Sequence, residues 1–343
     1  MTTVVPNAGD PGLRPFNKGA YGCVYTPPLP CAKSKRDTKK RAVGKITRKT
    51  DGRFELRMAE LIKAIPGWEN YYIVQERDQC AAANFARLRT VAEKQCTVYK
   101  RHSDDNLIQL LSRYGGATLT TVQFEADFPY LEKLEYVLEG VAKLNRQGIC
   151  HYDLNDKNVL IDLEGNFRII DFGQAFQGDL LTGQDIGRFI YEFSPGYRAQ
   201  PPEVSVMSGL YEGLTLQFCV NQTMEHKQEF EWMQNYLGLT KAEQMRSLFQ
   251  FWHDDRTKYD KSWVTFFHAY WRTWDAWAIG VMFLKILKTL YNSPVFQKTT
   301  WGPHSETIQL VLQGCCASNP LKRYTAEEAL MVLKASRAKE KKA

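Results

Sequence analysis

Residues 151–173 constrain the fold more than any other stretch of this 343-residue chain. Two short runs within it, Asn158–Asp162 and Phe167–Ile170, flank the turn sequence Glu164-Gly165-Asn166. This pattern predicts a β-hairpin. Upstream, apolar residues recur every three or four positions and predict an amphipathic helix: Tyr130, Leu131, Leu134, Val137, Leu138, Val141 and Leu144. The middle of the chain is therefore predicted to pass from a helix into a tight hairpin.

Three polar side chains bracket this hairpin. Asp153 and Asn158 come at or before its first strand, and Asp171 follows its second strand. Because the hairpin returns on itself, the two carboxylates are predicted to lie close together. Carboxylate and amide oxygens are hard ligands that suit a Mg²⁺ ion carrying a nucleotide, and one carboxylate can instead orient a hydroxyl nucleophile.

The segment resembles the catalytic loop (H-R-D-L-x-x-x-N) and the D-F-G motif of the eukaryotic-type protein kinase superfamily. The resemblance implies that Asp153 is the catalytic base and that Asn158 and Asp171 hold the metal. By the same resemblance, His151 and Phe172 are structural.

An N-terminal segment matches a second kinase motif. Residues 17–25 (Asn-Lys-Gly-Ala-Tyr-Gly-Cys-Val-Tyr) resemble the glycine-rich loop G-x-G-x-x-G-x-V. The resemblance assigns Gly19, Gly22 and Val24 to nucleotide binding, since glycines let backbone N–H groups approach the phosphates. Asn17 replaces the first glycine. Asn tolerates positive φ better than most residues, so we expect weakened rather than lost nucleotide binding.

Residues 41–45 resemble the V-A-I-K strand of kinases. The resemblance implies that Lys45 contacts the α- and β-phosphates of ATP and takes a glutamate partner from the next helix. Glu55 lies at the edge of the apolar face of that helix, whereas Glu60 points nearly opposite. We therefore predict Glu55 as the partner, although it follows Lys45 by only ten residues. The apolar face comprises Phe54, Met58, Leu61, Ile62 and Ile65.

Three segments resemble motifs of the large kinase lobe. Ser194–Tyr197 followed by Gln200–Glu203 resembles T-P-x-Y … A-P-E, with two extra residues. Trp274–Gly280 resembles the D-x-W-x-x-G that opens the buried central helix. Asn319–Leu330 resembles D-P-x-x-R-x-T-x-x-x-x-L.

These motifs separate protein kinases from small-molecule kinases of related fold. The resemblance implies that Glu203 and Arg323 form a buried ion pair and that Asp275 braces the catalytic loop. A small-molecule kinase is accordingly disfavoured.

The predicted fold class is α+β, a two-lobed protein kinase-like fold with a β-rich small lobe and a mainly helical large lobe. About 60 extra residues between Glu203 and Trp274 either replace a connecting helix or bind a partner.

The compact glycine-rich start and the H-Y-D-L-N loop are similar to kinases encoded by large DNA viruses. The predicted regions are residues 1–12 as a flexible N-terminus, 13–112 as the N-lobe, 113–335 as the C-lobe with an insertion at about 204–273, and 336–343 as a basic tail.

The function implied is an ATP- and Mg²⁺-dependent protein kinase acting on protein hydroxyls. Ser194 favours Ser/Thr specificity, because it matches the activation-segment Thr and can hydrogen-bond at the catalytic loop. Lys157, four residues after Asp153, is expected to reach the γ-phosphate, and it leaves dual specificity open because many tyrosine kinases carry Arg there. The alternative is a pseudokinase scaffold that binds a partner through residues 204–273.

Charge and hydropathy restrict the partners. Residues 33–41 and 334–343 together carry a net charge of about +9, so the remainder is close to −2 although the whole chain is +7. A nucleic-acid surface is therefore disfavoured. No apolar run reaches the ~18 residues of a membrane helix, and no signal peptide is evident. We expect an intracellular, cytoplasmic protein, with a nuclear location left open by the basic loop 33–41.

The eight cysteines are scattered and form no C-x-x-C pair. In a chain of this length they do not indicate a disulfide framework, and no histidine cluster joins them to indicate zinc. We expect buried or free thiols.

Overall fold

The computed structural model describes residues 17–19, 22–29, 42–76, 79–80, 96–259 and 262–340. The predicted N-terminal segment 1–12, the basic loop 33–41 and most of residues 76–104 lie outside these residues. Backbone contacts divide the chain into two compact units. The sheet unit holds the described residues up to Ala117 together with Leu160–Gly173, and the helical unit holds Thr118–Val159 and the chain from Gln174 onward.

The sheet unit is built on five antiparallel strands in the order β1-β2-β3-β5-β4. The helix α1 (Lys49–Lys63) packs on β3 and β5. It buries Met58, Ala59 and Ile62, which include two residues of the predicted apolar face. The strands are β1 (Asn17–Gly19), β2 (Gly22–Tyr25), β3 (Ala42–Arg48), β4 (Gln79–Cys80) and β5 (Leu107–Arg113).

A disulfide joins Cys23 of β2 to Cys96, 73 residues later. The expectation of free thiols is therefore wrong for this pair, whereas Cys150, Cys219, Cys315 and Cys316 are free and buried. The spacing of the two cysteines carries no signal, because the fold of the sheet unit brings them together. They lie in one apolar cluster with Tyr25, Leu29, Ile46, Val98 and Leu107.

The predicted hairpin at the centre of the chain is present. Val159–Ile161 and Phe167–Ile169 form its strands, and the Asp162 N–H donates to Asn166 O at 3.0 Å. The helix before it runs from Tyr130 to Arg146 and buries the predicted apolar face. Both local predictions are confirmed because their periodicity is strong and their contacts are near in sequence.

A helix of 28 residues, Trp263–Leu290, is the core of the helical unit. The sequence motif predicts the helix near Trp274, but it begins eleven residues earlier, because buried aromatic side chains extend its packed surface. Tyr130 illustrates this packing: its hydroxyl donates to Phe283 O at 2.8 Å. The other helices include Gly183–Phe189, Pro202–Tyr211, Leu216–His226, Glu229–Leu237, Lys241–Tyr259, Gly302–Cys315 and Ala326–Glu340.

The predicted insertion is helical and contributes to the core. It supplies the helices Leu216–His226, Glu229–Leu237 and Lys241–Tyr259 and the first turns of the central helix. Many of its apolar residues are buried, whereas Tyr211 and Phe218 are exposed, so the insertion is a packed part of the helical unit that also presents aromatic side chains to solvent. Among the described residues, no helix is long and apolar enough to cross a membrane. The buried set includes Cys219, Val220, Phe230, Trp232, Met233, Leu237, Leu248, Phe251 and Trp252.

Candidate active site

Lys45 lies in the middle of β3, and two carboxylates hold its ammonium group. Its Nζ lies 2.8 Å from Glu55 Oε1 and 2.8 Å from Asp171 Oδ1. The side chains of Lys45 and Glu55 are 14% and 1% exposed, whereas that of Asp171 is 41% exposed. We call these residues the lysine triad. Burial fixes two of its members and leaves the third accessible to a ligand.

The predicted pairing of Lys45 with Glu55 forms because no loop separates the strand from the helix. The strand ends at Arg48 and α1 begins at the next residue, so a ten-residue separation brings Glu55 back beside β3. Gln75 Nε2 donates to Glu55 Oε2 at 2.8 Å and holds the second oxygen. Glu60 instead lies at the surface.

Burial and charge act in opposite directions on this triad. Burial alone would lower the pKa of Lys45, but the negative charges of Asp171 and Glu55 outweigh it and raise that pKa above its ordinary value. For Glu55 burial is the larger effect and raises the pKa to about 7, although the Lys45 ammonium opposes the rise. The lysine therefore stays charged at physiological pH.

The backbone at Asp171 adopts a conformation that few non-glycine residues take. Its φ is 61°, in the left-handed region, which costs about 1–3 kcal/mol and concentrates at functional sites. The next ring, Phe172, is buried edge-on against Tyr72 with centroids 5.9 Å apart. A Cβ at Gly173 would lie 3.2 Å from Asp171 Oδ1, so a larger residue there would crowd the triad.

The catalytic-loop residues lie in the helical unit and are braced by Asp275. The His151 and Tyr152 N–H groups donate to its two carboxylate oxygens at 2.7 and 3.0 Å. Tyr152 has a φ of 66°, and its hydroxyl donates to Phe189 O at 2.8 Å. The structure therefore shows the contacts between Asp275 and the catalytic loop that the resemblance implied.

Asp153 accepts hydrogen bonds from two amide side chains. Asn155 Nδ2 donates to its Oδ1 at 3.0 Å, and Asn158 Nδ2 donates to its Oδ2 at 3.1 Å. Both amides also bond the Asp153 carbonyl oxygen, at 2.9 and 2.8 Å. Lys157 is exposed and makes no ion pair with any residue that the structure describes.

Tyr197 belongs to the activation segment, residues 171–203. Its phenol hydroxyl donates a hydrogen bond to Asp153 Oδ1. Ser194 was expected to hydrogen-bond at the catalytic loop, but it is exposed and its hydroxyl makes no hydrogen bond within the described part of the chain. That expectation is wrong.

The structure explains why one residue of the glycine-rich segment, Gly22, is glycine. In the β1–β2 hairpin Gly19 pairs with Gly22, and Val24 lies opposite Lys45 on β3. A Cβ at Gly22 would lie 2.6 Å from Ile46 O, so only glycine fits against the neighbouring strand. The tip of the hairpin, residues 20–21, lies outside the described residues. A role for these residues toward phosphate stays a prediction.

The structure gathers the predicted residues in two separate groups. The lysine triad lies in the sheet unit, and Asp153 with Asn158 lies in the helical unit. The predicted approach of Asp153 to Asp171 stays a prediction.

The ion pair that the resemblance implied is present, since Arg323 bonds both Glu203 oxygens at 2.7 Å with both side chains fully buried.

Comparison with known proteins gives a family to this arrangement. The model of the protein kinase domain matches residues 18–204, more than half of the chain. The chain belongs to the protein kinase family. Its match therefore covers both groups of site residues.

Similar proteins of this kinase family include serine/threonine-protein kinase RIM15 of Saccharomyces cerevisiae, 27% identical over 170 residues, 48% of this chain and 8% of that protein. A probable serine/threonine-protein kinase of Dictyostelium discoideum is 27% identical over 152 residues, 43% of this chain and 23% of that protein. A dual serine/threonine and tyrosine protein kinase of Apis mellifera is 35% identical over 65 residues, 18% and 7% of the two chains. The matched region spans less than a quarter of each relative.

Three side chains of this kinase domain escaped sequence reasoning. Gln75 holds Glu55, and Tyr197 contacts Asp153. Lys227 of the insertion is buried, and its Nζ donates to Tyr197 O at 2.5 Å and to Gln200 O at 2.9 Å. The one available signal was the position of Tyr197 in the S-P-G-Y motif, since single Gln and Lys residues read as surface groups.

Proposed function

We propose that this chain is an ATP- and Mg²⁺-dependent protein kinase that transfers the γ-phosphoryl group to Ser or Thr hydroxyls of proteins. The lysine triad carries the proposal. A buried cation that two carboxylates hold in one position is a fixed charge for a nucleotide phosphate, and phosphoryl transfer relies mainly on positioning and charge neutralisation. An ordinary surface lysine supplies no such fixed charge.

The proposed roles divide between the two units. Lys45 binds the α- and β-phosphates, and Glu55 orients it. In the helical unit Asp153 accepts the proton of the substrate hydroxyl, and Lys157 with its exposed ammonium reaches the γ-phosphate. Gly19, Gly22 and Val24 line the nucleotide.

The donor set fits magnesium. Asp171 has an accessible carboxylate, and Asn158 supplies an amide oxygen. We propose that these two residues hold Mg²⁺, which would neutralise phosphate charge. Mg²⁺ is commonly bound by one or two protein carboxylates together with phosphate oxygens.

Ser/Thr specificity is supported by the similar proteins from yeast and Dictyostelium, a serine/threonine-protein kinase and a probable one. Lys157 and the similarity to a dual serine/threonine and tyrosine protein kinase of Apis mellifera are two reasons to assay tyrosine as a second phosphate acceptor. The alternative is a scaffold that binds a partner through residues 204–273. Tyr211 and Phe218 are exposed on this insertion, although many of its apolar side chains are buried.

The test is transfer of radiolabelled phosphate from ATP to a mixture of casein and histone. We expect Asp153→Asn to lower kcat by about 10²–10⁴-fold, with Asp127→Asn, an exposed carboxylate, as the matched control. Mg·ATP at about 100 times its dissociation constant should add about 2.7 kcal/mol to the free energy of unfolding. Equal transfer rates for wild type and Asp153→Asn, together with no shift of the melting temperature by Mg·ATP, would reject the kinase proposal and favour the scaffold alternative.

We further propose that the chain is similar to kinases of large DNA viruses and acts inside a host cell. The support is the compact sequence at residues 19–31 and the H-Y-D-L-N loop. A nuclear role of the basic loop 33–41 is tested with a fluorescent fusion in which its six Lys and Arg residues become Gln. An unchanged distribution would remove that role.

A further inference from the structure

Cys23 lies in the strand that runs beside the lysine triad. Its neighbour Val24 pairs with Lys45 in the register of β2 and β3, and a Cβ at Gly22 would lie 3.3 Å from Lys45 Cε. Successive side chains of a strand point to opposite faces of the sheet, so Gly22 and Val24 share the face of Lys45. Cys23 points to the other face, beside Ile46 in the apolar cluster. The position of β2 therefore decides what lies against the fixed charge of Lys45.

The strand β2 belongs to a short hairpin at one end of the sheet. In the strand order β1-β2-β3-β5-β4, β1 is an edge strand of three residues that pairs with β2. The pairing of β2 with β3 covers four residues. Elements that few contacts hold in place open at a low cost in free energy. A second attachment would therefore keep β2 beside Lys45 in a larger fraction of the molecules.

The disulfide between Cys23 and Cys96 supplies this attachment. Cys96 immediately precedes the short helix Thr97–Arg101, which packs on β2 and β3. The chain then enters β5, which lies between β3 and β4. The bond thus ties the hairpin to the interior of the sheet unit. Because it lies on the face away from Lys45, it holds β2 without taking the space of a ligand.

The remaining cysteines favour a redox-sensitive bond over a set of structural disulfides. Those of the helical unit are all free and buried: Cys150, Cys219, Cys315 and Cys316. In reducing compartments the disulfides that do form are usually transient or redox-sensing. Cys23 and Cys96 are 0% and 1% exposed, so a reductant reaches their bond when the hairpin opens. Reduction is therefore coupled to the position of β2.

We propose that the Cys23–Cys96 disulfide is a redox-controlled brace of the nucleotide site. The oxidised form holds β2 beside Lys45, and reduction by a small dithiol releases it. A thiolate of the dithiol attacks one cysteine Sγ and breaks the S–S bond, and its second thiol then displaces the mixed disulfide. Two electrons and two protons pass to the cysteines, which become thiols, and the dithiol becomes a disulfide. The inference rests on the proposed function, because that function makes β2 a nucleotide-binding strand.

The brace predicts a reciprocal coupling between the nucleotide and the disulfide. If β2 is in place in about one third to one tenth of the reduced molecules, their apparent affinity for Mg·ATP falls about three- to tenfold. By thermodynamic linkage, Mg·ATP then favours the disulfide over the two thiols by the same factor. For a two-electron couple this factor lowers the reduction potential by about 14–30 mV. Neither effect depends on phosphate transfer.

The first test measures Mg·ATP binding to the full chain by titration calorimetry. Reduction of wild type with dithiothreitol should raise the Kd about three- to tenfold. Cys96→Ala leaves the sequence of β2 unchanged and should bind like reduced wild type, with or without dithiothreitol. Cys219→Ala is the matched control: it removes a buried free thiol and should keep the redox dependence of wild type. Thermal melts show whether the variants and the reduced protein are folded.

The second test measures the thiol–disulfide equilibrium in mixtures of reduced and oxidised dithiothreitol. Alkylation and mass spectrometry give the fraction of Cys23 and Cys96 in the disulfide. Saturating Mg·ATP should move this equilibrium toward the disulfide by about the same three- to tenfold factor.

Different results would overturn the inference or the proposed function. Equal Kd values for oxidised and reduced wild type, or an equilibrium that Mg·ATP does not move, would overturn the brace. Unfolding of the reduced protein at the assay temperature would make the bond a structural staple and would also overturn it. Absence of Mg·ATP binding in both redox states of folded wild type would instead mean that the proposed function itself fails, and the inference with it.

Discussion

Lys45 of the sheet unit and Lys227 of the helical unit are both withdrawn from solvent, and they are held in opposite ways. Lys45 lies between the carboxylates of Glu55 and Asp171, which raise its pKa against the effect of burial. Lys227 lies against two backbone carbonyls. Burial dominates there and lowers the pKa of Lys227 to about 8.

The difference shows what each site can do. Carbonyl dipoles give direction to a buried ammonium but do not replace the solvation that it loses, so Lys227 is suited to hold backbone in place. Full negative charges keep Lys45 ionised and present it to an anion. Glu229, close to Lys227, is buried with neither carboxylate oxygen hydrogen-bonded within the described residues, and burial raises its pKa.

The largest expected effect is on Lys45. Lys45→Met should lower phosphate transfer by about 10⁴-fold, or about 5.4 kcal/mol, because it removes a fixed charge from the transferring group. The fold should survive, since Glu55 keeps its bond from Gln75 and can take up a proton. Transfer assays and thermal melts measure both effects, with the surface variant Lys63→Met as control. Substantial phosphate transfer by Lys45→Met would show that the Lys45 ammonium is not the charge that binds the nucleotide phosphates.

Arg323 is a buried cation with a carboxylate partner, and it extends the comparison of Lys45 with Lys227. Arg323→Ala should cost about 3–5 kcal/mol of unfolding free energy, because Glu203 would be left charged and unpaired in the core. Glu203→Ala should behave alike, and the double variant should cost less than the sum. Denaturant unfolding measures this. The exposed pair Arg146–Glu327, 2.7 Å apart, is the control, and Arg146→Ala should cost less than about 1 kcal/mol. Strict additivity at Arg323 would exclude the coupling.

Lys227 should show its buried state as a pH dependence of stability. Between its folded pKa of about 8 and the ordinary value of 10.5, the unfolded chain binds more protons than the folded one. The free energy of unfolding should therefore rise with pH in this window, by about 1.4 kcal/mol per pH unit. Lys227→Met should lack this rise, and the exposed-lysine variant Lys241→Met should keep it. Parallel curves for wild type and Lys227→Met would mean that Lys227 titrates normally.

The smallest expected effect comes where the chain lacks a cation. Many kinases have an Arg before the catalytic Asp that binds a phosphate on the activation segment. Here the residue is Tyr152, which is buried with its hydroxyl bonded to Phe189 O. Phosphatase-treated protein should keep its rate within about twofold, since a buried neutral phenol cannot neutralise phosphate.

Thr182 provides the matched variant for this test. It caps the helix Gly183–Phe189 together with Asp185, so Thr182→Asn removes a phosphate acceptor while keeping a good cap. Its rate should equal that of wild type. A large loss on phosphatase treatment, regained on rephosphorylation, would mean that another cation reads the phosphate.

Local periodicity was enough to predict several elements of this fold. The helix Tyr130–Arg146 and the central hairpin each depend on residues near one another in the chain. The kinase resemblance implied a glutamate partner for Lys45, and helix periodicity selected Glu55. Long-range contacts left no such pattern. The Cys23–Cys96 disulfide and the bond from Tyr197 to Asp153 join residues 73 and 44 positions apart.

The sequence by itself determined the chemistry of this protein: it supplies the lysine of β3 and the carboxylates on either side of the hairpin. The reason is that these residue types and their local spacing are written in the chain. Tertiary structure alone decided which hydroxyl lies on Asp153 and where Lys227 of the insertion is buried. Packing of the helices around Trp263–Leu290 buries Lys227 beneath the activation segment, and no local pattern encodes where a lone lysine will be buried.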